Sequence, residues 1–169
     1  MRSGENAMKS DDPAVQLRDV YKSDLPIFFE QENDEEARYM AAFVAPNPDD
    51  RAGFMAHWDK LLSNPAIIKR TILLGEAIAG QIYCFELEGQ QSIGYWIGKA
   101  FWGQGVATRA LLSFLEIVTH RPVYARVVKD NLASQRVLEK CGFAIVGEDV
   151  GFAHGRGADV EEYIFERRD

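Results

Sequence analysis

The chain has 169 residues, 47% hydrophobic and 27% charged, which is enough apolar mass for one buried core and excludes a disordered or fibrous composition. Nineteen Lys and Arg against 26 Asp and Glu leave a net charge of −7. That balance disfavours nucleic acid as a partner, because Lys and Arg supply most of such affinity, and it suits a cationic substrate. With short, interrupted apolar runs and no secretory leader pattern, the expectation is a cytoplasmic protein without membrane attachment, a monomer or homodimer. Residues 1–12 read as a disordered polar tail, with Met8 an alternative start, and 13–169 as a single domain. Cys84 and Cys141 lack CxxC spacing, and His57, His120 and His154 are scattered, so buried thiols and no metal are expected.

Val15 to Arg18 alternates as a short strand, and Ser23-Asp24 offers N-caps for a helix carrying Leu25, Ile27, Phe28 and Phe29. Asn33-Asp34-Glu35-Glu36 opens a second helix, with Ala37, Met40, Ala41 and Phe43 as its apolar side and Pro46 and Pro48 ending it. Asp49 and Asp50 head a third, in which Phe54, Met55, Trp58, Leu61 and Leu62 form one apolar face until Asn64-Pro65 stops it. The helical aromatics read first as core, with room for some to line a cleft.

The period then changes. Ile67–Leu74, Ala77–Leu87 and Gln91–Ile97 are β-rich runs joined by connections so short that the three strands must form an antiparallel meander. Ala107, Leu111, Phe114, Leu115 and Val118 then make a helical stripe that ends near His120-Arg121-Pro122. Val123–Val128 follows as a strand, Asn131–Cys141 as a helix closed by Gly142, and Phe143–Val150 as another strand, a βαβαβ rhythm after the meander. Gly151–Gly157 reads as a loose glycine-rich connection to a last antiparallel strand, Val160–Glu166.

Two stretches carry chemistry. Tyr95 to Thr108 ends a strand, turns through Gly103 and Gly105 and opens a helix, where unpaired N–H groups and the positive end of the helix dipole can hold a phosphate. A plain turn with a helix cap is the simpler use of the same glycines. The corner lacks the Gly-Lys-Ser/Thr ending of a phosphate-loop nucleotidase. In the second stretch, Asn131 is placed to cap a helix whose third residue is Ser134.

The element order, with Trp102-Gly103-Gln104-Gly105-Val106-Ala107-Thr108 and the run from Asn131 to Phe143, resembles the GNAT superfamily of acyl-CoA-dependent N-acetyltransferases from about Val15 to Glu166. Tyr95-Trp96 and the two signatures are most similar to its ribosomal-protein N-terminal acetyltransferase (RimJ/RimL-like) branch. The resemblance implies an α/β (α+β) fold with a mixed, mostly antiparallel sheet of about six or seven strands, splayed at the cofactor site and flanked by helices. It implies acetyl-CoA as co-substrate: its diphosphate on the N–H groups from Gln104 to Thr108, beside Trp102 and Gly103, and its pantetheine arm paired with backbone of Tyr95, Trp96 and Ile97. Asn131 would bond the arm and Ser134 would lie near the thioester sulfur. The tyrosine that many relatives use to protonate the leaving thiolate is here Leu138, which leaves Ser134 as the candidate acid, while Arg136 and Lys140 could reach the phosphates.

An attacking amine must first lose a proton. Candidate carboxylates are Glu86 and Glu88, at the end of the middle meander strand, and Glu30 and Glu32, at the junction of the first two helices, where family members form the acceptor side. Glu86 is taken as the base and Glu30 and Glu32 as acceptor-binding groups. The expected activity is acetyl transfer to a primary amine, either a protein N-terminal α-amine or a small molecule. The competing expectation is a non-catalytic acyl-CoA-binding or sensing domain.

Overall fold

The computed structural model describes residues 13–169, so the tail expected over 1–12 lies outside the described residues. In chain order the elements are β1 (Val15–Arg18), α1 (Leu25–Glu32), α2 (Glu35–Ala41), α3 (Arg51–Ser63), β2 (Ile68–Leu74), β3 (Ala77–Leu87), β4 (Gln90–Ile97), α4 (Val106–Ile117), β5 (Val123–Val128), α5 (Leu132–Lys140), β6 (Ala144–Ala153) and β7 (Ala158–Arg167). The strands make one seven-stranded sheet in the order β1-β2-β3-β4-β5-β7-β6. All neighbours are antiparallel except β4 and β5. The mixed, mostly antiparallel sheet flanked by helices is the expected fold.

Alternation along the strands sends residues to two helical layers. Ile72, Ile82, Cys84, Val123 and Ala125 join Val106, Leu111 and Phe114 of α4 and Leu138 of α5 in the main core. Full burial of Leu111 or Phe114 contributes about 1.5–3 kcal/mol each. On the opposite face, Leu25 and Phe28 of α1 and Trp58 of α3 form a second cluster with Ile78. Both cysteines are buried free thiols.

Three local expectations need correction. Asp24 does not cap α1 with its side chain; it is buried, accepting from Tyr21 N (2.9 Å), Thr71 Oγ1 (2.7 Å) and both Arg18 Nη atoms (2.7 and 2.9 Å). This ion pair, formed before the helix begins, ties β1 to β2. Phe43 is not on the apolar side of α2, because the helix ends at Ala41 and Ala42 turns to a φ of 64°. Gly151–Gly157 is not a loose connection, since β6 runs on to Ala153 and β7 begins at Ala158, leaving a short turn at His154–Gly157. Ladder hydrogen bonds to a partner strand outweigh the low strand propensity of glycine. The βαβαβ order after the meander is as expected, and β7 lies between β5 and β6 in the sheet.

β4 and β5 share one register pair, Ser92 with Tyr124, and then separate toward their C-terminal ends. Each strand leads into a helix there, α4 after β4 and α5 after β5, so two helix starts flank one splay. Clefts at the carboxyl ends of diverging parallel strands are where α/β folds bind ligands.

Candidate active site

A cleft of about 1380 Å³ opens at the splay, more than the 300–1000 Å³ usual for one small ligand, and thus has room for two. On one side lies the glycine corner. Gly103 and Gly105 have φ of 74° and 71°, a region that favours glycine, and Gly105 is the N-cap of α4 with no side-chain cap. The space where a Cβ would stand at Gly103 is empty to 4 Å. Arg109 donates to the carbonyls of Gln104 (3.0 Å) and Gly105 (3.4 Å). Carbonyls of the corner are thus engaged by Arg109, while the first N–H groups of α4 have no intrahelical acceptors, a combination that fits an anion. Trp102 Nε1 donates to Ile97 O at 2.8 Å and pins the corner to β4. Trp102, Gly103, Gly105, Val106, Ala107 and Thr108 line the cleft; Gln104 is exposed outside it, its amide on Ala100 O.

The backbone of β4 follows from its turn. Glu88 and Gly89, at φ 52° and 80°, form a two-residue connection between the register partners Leu87 and Gln90, as type I′ hairpins do. Hydrogen-bonded pairs alternate from there, which directs Gly94 and Trp96 N–H and C=O to β3 and those of Tyr95 and Ile97 into the splay. Gly98 N on Ala79 O (2.8 Å) fits the same alternation at the far end. Of the three residues expected to pair with a pantetheine arm, Tyr95 offers its N–H and C=O and Ile97 its N–H, the Ile97 carbonyl accepting from Trp102, whereas the Trp96 backbone is turned to β3.

α5 brings Asn131 and Ser134 to the splay. Asn131 Oδ1 accepts from Ser134 N (3.2 Å) and its Nδ2 donates to Met40 O (3.4 Å), so the cap also ties α5 to α2. Ser134 Oγ lies 2.7 Å from Tyr95 Oη. Burial pushes the Tyr95 phenol up to about 12, so it stays protonated, and either hydroxyl can donate in this pair. Leu138, in the slot where many relatives carry tyrosine, is fully buried in the core.

The opposite face of the sheet builds the other half of the cleft. Gln31 is held twice, its backbone carbonyl accepting from Trp96 Nε1 (3.2 Å) and its side-chain Nε2 donating to Ile78 O (2.9 Å), which fixes the end of α1 over β3 and β4. The next residue, Glu32, points its carboxylate to Gln81 Nε2 (3.1 Å). Burial raises its pKa to about 7, partly opposed by the Gln81 hydrogen bond and the Arg38 charge. Tyr83 lies across Gly94, where a Cβ would come within 2.8 Å of its Oη; burial and the nearby Glu32 push this phenol up to about 12.

Among the acidic candidates, Glu32 lines the cleft; Glu30 and Glu86 are exposed and lie outside it, and Glu88 occupies the hairpin turn. Arg136 and Lys140 are exposed along the cleft. Phe28 is core, Trp58 is buried at the cleft wall, and Phe29 and Phe54 meet edge to face there at 5.3 Å. Sequence reasoning missed the side chains of Gln81, Tyr83 and Tyr95 and the role of Arg38. The period of two in Gln81-Tyr83-Phe85-Leu87 was available to find the first two; the Tyr95–Ser134 contact spans two elements and left no local trace.

The family model described as "Acetyltransferase (GNAT) domain" matches residues 15–144. No curated protein matches the sequence significantly. Similar solved structures include the microcin C7 self-immunity acetyltransferase MccE in complex with acetyl-CoA and AMP, at 16% identity and TM-score 0.76, covering 94% of this chain and 93% of that one. Spermidine N-acetyltransferase from Vibrio cholerae, in complex with CoA and spermine, shows 19% identity and TM-score 0.75 over 90% and 95%. RimL, the ribosomal L7/L12 α-N-protein acetyltransferase in complex with coenzyme A, shows 19% and 0.72 over 89% and 92%. These likenesses are of fold, and the RimL structure is one neighbour among several. Matched from β1 to the start of β6, the chain belongs to the GNAT acetyltransferase family, whose members are acetyl-CoA-dependent.

Proposed function

We propose that the protein is an N-acetyltransferase that moves an acetyl group from acetyl-CoA directly to a primary amine in a ternary complex. The observation that carries this reading is the splay itself. An anion-binding helix start and free β4 backbone lie at its mouth, Ser134 with Tyr95 on one face of the sheet, and Glu32 on the other. The residues present fit the co-substrate. N–H groups from Gly105 to Thr108 would hold the diphosphate, and the Tyr95 backbone N–H and C=O would pair with the pantetheine arm, the Ile97 carbonyl being engaged by Trp102. Bound there, acetyl-CoA supplies an acyl thioester.

The protein's own groups then divide the work by face. Glu32, rather than the exposed Glu86 or Glu30, receives the acceptor ammonium and takes one proton from it. As the C–N bond forms, the C–S bond breaks and its electron pair goes to sulfur. The nitrogen gives up its second proton and the departing sulfur takes one up by way of the Ser134 hydroxyl, oriented by Tyr95, so that amide and thiol result and the proton on Glu32 returns to solvent. The N–H of Ile97 faces the splay and can polarise the carbonyl, so positioning and electrostatics supply much of the rate. Both a protein α-amine and a small-molecule amine satisfy this chemistry, and the former is what the RimJ/RimL-like signature suggests.

Calorimetry with CoA and thiol release from acetyl-CoA across an amine panel test the reading together. Binding with amine-dependent thiol release is expected; binding with background release throughout would leave a non-catalytic acyl-CoA-binding domain.

A further inference from the structure

The charges on the acceptor side point to its occupant. Three carboxylates line the cleft: Glu32, Asp50 and Glu162. Asp50 is engaged as the cap of α3, accepting from Gly53 N at 2.9 Å, and Glu162 pairs with Arg126 at 3.1 Å. Glu32 has the neutral amide of Gln81 as its hydrogen-bond partner among the described residues, and no salt bridge there. Glu32 and Asp50 are therefore without a salt bridge among the described residues, and of the two Glu32 is the half-buried one, Asp50 being exposed and engaged as a cap. Arg38, close enough to act on Glu32, lines the same side and repels a second positive group.

Away from Glu32 the wall is apolar. Tyr83, Phe85 and Leu87 follow one another on the same face of β3, with Phe29 and Phe54 opposed to them from α1 and α3 and Phe43 from the α2–α3 connection. This wall is braced. Arg156 in the β6–β7 turn holds Asp130 through two hydrogen bonds of 2.8 Å and Tyr39 O at 2.6 Å, and Gly155 N donates to Ala42 O at 2.8 Å.

We infer that the acceptor is a compact primary monoamine with an aromatic or branched apolar body, its ammonium at Glu32 and its body against the Tyr83–Phe85 stripe and the Phe29–Phe54 pair. The inference rests on the transferase reading above and deepens it. The further ammonium groups of a polyamine would meet the exposed, cap-engaged Asp50, where an ion pair in water is worth little, or the apolar wall, where burying an unpaired charge is costly. A single ammonium beside apolar carbon leaves nothing uncompensated.

Steady-state kinetics at saturating acetyl-CoA with 2-phenylethylamine, methylamine, spermidine and a short peptide with a free N-terminus test it. The kcat/KM for 2-phenylethylamine is expected to exceed those of spermidine and the peptide by about ten-fold or more. Phe54→Ala, and Phe54→Leu as the variant that keeps more of the packing, should reduce that value about ten-fold while leaving methylamine turnover and the KM for acetyl-CoA within about two-fold. Spermidine or the peptide equalling 2-phenylethylamine overturns the inference with the transferase reading intact, as does an equal loss for methylamine in both variants. Thiol release with none of the amines, while CoA still binds, overturns the transferase reading and this inference with it.

Discussion

Glu32→Gln should make the protein more stable and nearly inactive, and the stability gain should depend on pH. The folded protein holds this carboxyl at a pKa of about 7 against its ordinary 4.5, because burial disfavours the charge. The folded state therefore binds the proton more tightly than the unfolded chain. In acid below 4.5 both states are protonated and Glu32 costs nothing. Between 4.5 and about 7 the unfolded chain ionises first, so stability falls as pH rises, and above about 7 the penalty is complete. Its size is about 2–3 kcal/mol. The neutral amide of the variant carries no such penalty and can still accept from Gln81. The stability difference between variant and wild type should grow from under about 1 kcal/mol at pH 5 to about 2–3 kcal/mol at pH 8, a shift of about 5–10 °C in Tm. Urea unfolding of both proteins at the two pH values measures it. In parallel, wild-type kcat/KM should rise with pH through about 7 as Glu32 ionises, and the variant should lack that rise. A stability difference that is equal at both pH values, or a variant with wild-type turnover, would refute the assignment of a buried, functional carboxylate.

Gly105→Glu should weaken CoA binding about 100-fold or more by calorimetry, since a carboxylate would face the diphosphate at the helix start; retained affinity in the folded variant removes the corner from the site. Ser134→Ala and Tyr95→Phe should each lower kcat about 10- to 100-fold with little change in KM for acetyl-CoA, and the double variant should be no worse than Ser134→Ala alone, because the pair acts as one unit. Additive losses in that cycle would separate the two residues. Gly94→Ala should displace the Tyr83 ring at a stability cost of about 1–3 kcal/mol and raise the acceptor KM while sparing CoA binding, which unchanged acceptor kinetics would contradict.

The order of strands and helices was readable because each depends on nearby residues: apolar periodicity, short connections and glycine placement. Chain neighbours do not determine sheet neighbours, however, and the insertion of β7 between β5 and β6 had no local signal. Asp24 shows the same divide. As a short polar residue before a helix it reads as a cap, yet Arg18 on β1 and Thr71 on β2, the latter far along the chain, decide its role. At the site, the glycine corner was legible since one stretch contains both the turn and the helix start. Glu32 was picked out by its place between two helices but could not be ranked above Glu30 or Glu86, because burial against Gln81 and Tyr83 is a property of the assembled sheet.

The division of the cleft into two chemical halves follows from a two-residue turn. Glu88-Gly89 sets Leu87 opposite Gln90, and every later pairing on β3 and β4 inherits that register. Tyr95 therefore faces α5 and Ser134, while Trp96 faces α1 and fixes the residue before Glu32. The same register sends the backbone groups of Tyr95 and Ile97 into the splay rather than toward β3. A slip of one residue would send Tyr95 to the Glu32 side, Trp96 to the α5 side, and the free N–H groups to a strand that has no room for a ligand. The groups proposed as acid and base end up on opposite faces of one sheet, with the open strand edge between them, and an acyl group crossing that edge would be reached from both sides at once.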